Sequence, residues 1–186
     1  MKRSFLDCRL VHKDYDKNLE GIEKRKMQEQ SKNELLANFI KSFNLTNAII
    51  QDSNIVSDKA TWHFSVTHAR GTTMIFIAKW FVGLDCQANI DVPSNYKEIA
   101  LKHFSESELQ WFNVHNSPLE FLLLWVSKES FFKCYSNEYK KAPDFSQWKL
   151  IEHRNNLAYT DGKDTYECQK GIGGNTYTFT VCAKII

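Results

Sequence analysis

Apolar positions along the chain follow two spacings, and the order in which those spacings alternate predicts the elements. A short alternating stretch over residues 5–11 reads as a strand. It is followed by a charged segment, 21–43, in which Leu36, Phe39, Ile40 and Phe43 recur at helical spacing beneath a basic opposite face. The polar stretch 51–60 reads as a loop leading to a strand at 62–65. Beyond His68 and Gly71 the apolar run 72–85 predicts two strands joined near 79–81, with Asp85 ending the second. Mid-chain the period lengthens. Pro93 and Ser94 open a helix through His103, and Ser105 with Glu108 has the Ser and Glu spacing of a capping box that starts another. Ser117-Pro118-Leu119-Glu120 repeats the device, with proline at the first helical position, and predicts a helix through about Tyr135. After Pro143 short strands return at 148–152, 157–159, 165–168 and 177–183, separated by turns at Asp161-Gly162 and 171–174. No internal repeat of residues is visible.

The helix beginning at Pro118 holds the most informative chemistry. At about 100° per residue with Phe121 at zero, Trp125 falls near 40°, Leu122 near 100° and Glu129 near 80°, inside the apolar arc. Lys128, near 340°, shares that arc. A carboxylate and an ammonium facing inward need counter-charges. One reading is an i,i+4 ion pair from Glu129 to Lys133; the other is a metal ligand beside anion-binding lysines. Asp85 is likewise open between a turn former and a hard-cation ligand, and Mg²⁺ needs only one or two protein carboxylates. Thr67 and His68 are either plain segment residues or phosphate donors. A Cys86/His68 nucleophilic pair has no orienting third group.

Composition narrows the classes. The 186 residues are 42% hydrophobic and 25% charged with 7 Gly and 3 Pro, which excludes collagen-like and disordered chains. The balance of 24 Lys+Arg to 22 Asp+Glu nets only +2 and argues against a nucleic-acid partner. No apolar run approaches the roughly 18 residues of a membrane span, and the N-terminus lacks a secretory pattern, so a cytoplasmic protein without a membrane partner is expected. Five cysteines with no C-x-x-C pair read as free, buried thiols.

In this order the segments resemble the 4′-phosphopantetheinyl transferase superfamily. FSVTHARG (64–71) looks like the family's F-N-x-S-H-S-x-G element, and VGLDCQ (82–87) like G-I-D-I-E. FSESELQWF (104–112) and FLLLWVSKESFFK (121–133) look like F-S-x-x-E and W-x-x-K-E-A/S-x-x-K. The intervals of 17 residues from His68 to Asp85 and 44 from Asp85 to Glu129 fit as well. The chain is closer to the monomeric surfactin-synthetase-activating type than to the trimeric type. Weaker likeness reaches Ser57-Asp58-Lys59-Ala60 in place of G-K-P, and YTFTVCAK at the end.

The resemblance implies an α+β fold of two similar halves related by pseudo-twofold symmetry with the cleft between them. Residues 1–60 would form a shortened N-terminal half carrying a coenzyme-A-binding helix, and 61–186 a C-terminal half carrying the metal motifs. It implies Mg²⁺-dependent transfer of the phosphopantetheine arm of coenzyme A to a serine of an apo acyl or peptidyl carrier protein. Asp85 and Glu129, with Gln87 in place of an acid, would hold the metal. Lys128 and Lys133 would bind phosphate oxygens, while Thr67, His68 and Lys59 bind the 3′-phosphate, with Arg25, Lys32 and Lys41 on the basic helix. Glu129, Glu108 and Lys133 are the catalytic candidates, Glu108 also being a capping-box residue. A second hypothesis, motivated by Gln87 and the missing G-K-P, is a weakly or non-catalytic relative that binds coenzyme A or a carrier protein.

Overall fold

The computed structural model describes residues 8–173 and 176–185. Two five-stranded antiparallel sheets carry four α-helices, and the strand orders are β1-β5-β4-β3-β2 and β6-β10-β9-β8-β7. The first sheet contains β1 (Cys8–Asp14), β2 (Ile49–Gln51), β3 (Asn54–Val56), β4 (Thr61–Ala69) and β5 (Thr72–Ala78). The second contains β6 (Gly83–Ala88), β7 (Lys149–His153), β8 (Asn156–Thr160), β9 (Thr165–Gly173) and β10 (Tyr177–Lys184). Each sheet follows one rule, in which the first strand enters at an edge and the last returns beside it. Between first and second strand each half inserts a 22-residue helix, α1 (Gly21–Ser42) or α4 (Pro118–Tyr139). The α+β fold of two similar halves is therefore present. Only the second half adds α2 (Tyr96–His103) and α3 (Glu106–His115) ahead of its long helix.

Side-chain alternation builds the layers. Leu35, Leu36 and Phe39 of α1 cover Trp62, Phe64, Ile75 and Ile77 on one face of the first sheet. Its other face, through Ala69 and Met74, meets Leu84 and Cys86 of the second sheet. The far face of the second sheet takes α4, with Phe131 packed on Tyr159 and Tyr166. Burying Leu36 or Phe39 is worth about 1.5–3 kcal/mol each, enough to hold a helix with an otherwise polar surface.

Several expectations shift. The division between sheets falls at 79–82, not at 60/61, because β4 and β5 pair with β3 and β1. The first strand is Cys8–Asp14, and residues 5–7 lie outside those described. The polar stretch 51–60 contains half of a hairpin, anchored by the fully buried Ile55. Asp85 sits inside β6 rather than at its end. Both serine-started helices form as expected: Ser105 and Glu108 make the reciprocal capping box, and the Ser117 side chain accepts from the Glu120 N–H.

The orientation of α4 is the largest correction. Its sheet-facing side carries Ser127, Ser130, Phe131 and Cys134, about half a turn from the arc expected from Phe121 and Trp125. Small residues win because the helix lies almost on the strand. A Cβ added at Gly83 would stand 1.8 Å from the Ser130 carbonyl oxygen. Of the hydroxyls that this buries, Ser130 donates to the Ser127 carbonyl and Thr180 to the Val126 carbonyl, while the Ser127 hydroxyl has no partner among the described residues. Phe121 and Trp125 pack instead with Phe104 and, for Phe121, Tyr96.

Candidate active site

β6 is an edge strand, so part of its backbone must find partners outside the sheet. The Leu84 N–H donates to the Ser65 hydroxyl at 2.9 Å, and the Cys86 N–H to the Thr67 hydroxyl at 3.2 Å. These two contacts join the halves along β4 and β6. Gly83, Asp85 and Gln87, on alternate positions, face α4; Leu84 and Cys86 face the other sheet.

Asp85 thus lies under α4, where Lys133 reaches it. The Lys133 ammonium donates to Asp85 Oδ1 at 2.6 Å and to the Leu84 carbonyl at 3.0 Å. Thr67 donates to the same Oδ1 at 3.1 Å. Of the two readings of Glu129, the i,i+4 pair with Lys133 is replaced by this cross-element bridge from Lys133 to Asp85. Glu129 is half-buried, and loss of solvent followed by the negative charge of Asp85 raises its carboxyl above the usual range, against the pull of Lys133 and Lys128. The two carboxylates thus lie near enough to repel each other, with incomplete compensation.

From the other half, His68 adds to this cluster. Its Nδ1 lies 2.9 Å from the Thr73 hydroxyl. Partial desolvation, then Lys133, then Lys32 of α1 hold its imidazolium below the ordinary value, with Glu29 opposing. Lys32 pairs with Glu29. His68 of β4 therefore lies within the field of Lys133 of α4 and Lys32 of α1.

The remaining candidates divide. Thr67 is buried and committed to Asp85 and the Cys86 N–H, which makes it a residue of the join between halves rather than a free phosphate donor. Lys128 donates to Glu108 at 2.7 Å and to the His103 carbonyl at 2.8 Å, over the Phe145 ring. Glu108 also accepts from Tyr159 at 2.8 Å and from the Ser105 N–H, so this carboxylate, 1% exposed, is structural in its contacts. Lys59 lies beyond the start of β4, roughly 20 Å or more from His68 at about 3.3 Å per strand residue. Arg25 lies on the Lys32 side of α1, about 10 Å along it, while Lys41 falls on the opposite side by helix geometry.

Cys86 is buried, and desolvation followed by Asp85 pushes its thiol up to about 12, which removes it as a nucleophile. Gln87 lines a pocket of about 210 Å³ between β6, α2 and α4, with Asp91 and Trp125. Arg70 of the β4–β5 turn bridges to Asp91 at 2.9 Å. Sequence reading missed that pair, since 21 residues and no periodicity link the two.

A profile of the 4′-phosphopantetheinyl transferase superfamily matches residues 81–182, which span β6, α4 and the rest of the second sheet. The chain belongs to this superfamily. No curated protein matches the sequence. Membership supports phosphopantetheinyl transferase activity in general, with coenzyme A as substrate and carrier proteins as acceptors. The donor chemistry of a transferase using Mg²⁺ is met by Asp85 and Glu129, whose oxygens suit a hard cation and whose mutual repulsion a cation would relieve. Among the described residues no group of three or more His, Cys, Asp or Glu converges. No described helix is long and apolar enough to cross a membrane.

Proposed function

We propose that this phosphopantetheinyl transferase moves the arm of coenzyme A onto a serine of an apo acyl or peptidyl carrier protein, acting as a Mg²⁺-dependent monomer of the surfactin-synthetase-activating type. The observation that carries the reading is the meeting of Asp85 and Glu129 beside Lys133, with His68 and Lys32 supplied by the other half. Because one chain provides both sides of this cluster, no second copy is needed to complete it.

Asp85 and Glu129 would hold the metal, which would neutralise pyrophosphate charge and polarise the bond that breaks. Lys133, fixed by Asp85 and the Leu84 carbonyl, presents its charge to phosphate oxygens as negative charge grows on the leaving group. His68 and Lys32 bind the 3′-phosphate, which anchors the adenosine end and orients the pyrophosphate for in-line attack. Glu129 accepts the serine proton, since Glu108 is enclosed by Lys128, Tyr159 and its own capping contacts.

The test is incubation with coenzyme A, Mg²⁺ and a panel of apo carrier proteins, read by intact mass. Gain of one phosphopantetheine group, abolished by EDTA, is expected. Calorimetric binding of coenzyme A with no carrier modified would overturn transfer in favour of a binding role.

A further inference from the structure

The superfamily pattern has an acid where this chain has Gln87, and the structure gives that amide different surroundings. Gln87 lies two residues from Asp85 on the same face of β6, about 7 Å along the strand. It borders a pocket whose apolar walls are Pro93, Ile99, Phe121, Leu122 and Trp125. Among the described residues its side-chain amide has no hydrogen-bond partner. The one carboxylate at the rim, Asp91, is occupied by Arg70. A pocket with apolar walls, one unengaged neutral amide and a neutralised acid suits an uncharged ligand that carries amides of its own.

We propose that Gln87 reads an amide of the pantetheine arm, and that the pocket seats the arm's end, so that this position serves the substrate and not the metal. The inference rests on the reading of coenzyme A as substrate. The arm is uncharged, contains two secondary amides and begins at the pyrophosphate, which the Asp85 and Glu129 cluster receives. Size agrees too. The cavity of about 210 Å³ has room for a small group such as the arm's terminal amide with its flanking methylenes. α2, which supplies Ile99, has no counterpart in the first half, so this wall is specific to the end of the cleft where the arm would lie.

The test compares two ligands by calorimetry at fixed Mg²⁺: coenzyme A, and adenosine 3′-phosphate 5′-diphosphate, which is coenzyme A without its arm. The wild-type protein should bind coenzyme A at least tenfold more tightly. Gln87→Leu should weaken coenzyme A about three- to tenfold, the range for one neutral hydrogen bond, and leave the armless nucleotide within twofold. Gln87→Glu, which places a charge among apolar walls, should weaken coenzyme A at least as much without changing the Mg²⁺ dependence of nucleotide binding. Thermal melting of both variants confirms the fold. Equal wild-type affinity for the two ligands, or an equal loss of both in the variants, overturns the assignment while leaving the transferase reading intact. Tighter Mg²⁺ use by Gln87→Glu also overturns it, by returning the position to the metal. Absence of binding for both ligands in the wild type would instead remove the transferase reading, and this inference with it.

Discussion

Lys32 and Glu129 each stand twelfth in a 22-residue helix, and the two helices occupy the same place in the same strand order. One position carries a cation and its counterpart a carboxylate. The contrast extends outward from the pair. In the first half the charges near the cleft are held loosely: Lys32 has an exposed partner in Glu29, and Arg25 is in solvent. In the second half they are enclosed, Lys128 against Glu108 and Lys133 against Asp85. Under the proposed function, two halves of like strand order divide the work, one gathering anions and the other holding the metal and the base. Substitutions in the first should move affinity alone, whereas those in the second should move stability and catalysis.

The strongest challenge to that division is Lys128→Met, which leaves the buried Glu108 carboxylate without its partner and should cost about 3–5 kcal/mol in urea unfolding. Adding Glu108→Gln should restore much of the loss, because both charges are then gone. Glu129→Gln comes next and separates function from stability. Transfer should fall on the order of 100-fold. Stability should not fall with it, because the raised carboxyl marks an ionised form that is disfavoured in the folded protein. In the wild type that penalty is absent at low pH and grows as pH rises through the elevated pKa. The melting temperature of the variant should therefore lack this downward step above the ordinary carboxylate range.

His68→Ala tests the first half. It should weaken coenzyme A by about 1.5–3 kcal/mol, the range for hydrogen bonds to charged groups, and leave dephospho-coenzyme A, which lacks the 3′-phosphate, nearly unchanged. Because the imidazolium is held below its usual value of about 6.5, coenzyme A affinity should rise as pH falls below that point, with a flat profile for dephospho-coenzyme A. The smallest effect is expected for Lys32→Ala: about threefold weaker coenzyme A binding that fades with added salt, and stability within roughly 0.5 kcal/mol. A large stability loss from Lys32→Ala would erase the contrast between the halves.

How much of this was legible in the sequence depends on the range over which each signal acts. Caps are local, so Ser105 and Ser117 located their helices. Hydrophobic spacing found most strands but misjudged α4, because the side of that helix nearest the sheet is chosen by size and not by apolarity. The Asp85 and Glu129 pair was visible through motif order alone; no periodicity brings a strand residue beneath a helix 44 positions later. Thr67 was read as a phosphate donor because its engagement with Asp85 and the Cys86 N–H is a contact between halves. The likeness of the two halves was legible only through the family resemblance, since no residues repeat. It survives in strand order and helix length, which constrain shape, and not in residue identities, which have diverged with the division of labour.

The hydroxyls of Ser65 and Thr67 have a consequence for how the molecule behaves in a crowded solution. An outer strand with open amides is a template on which another chain can lay a strand, and sheet proteins that leave one bare tend to self-associate. On β6 the amides of Leu84 and Cys86 are already engaged by side chains of the neighbouring sheet. The strand that carries Asp85 is thereby closed to intruding chains along this stretch.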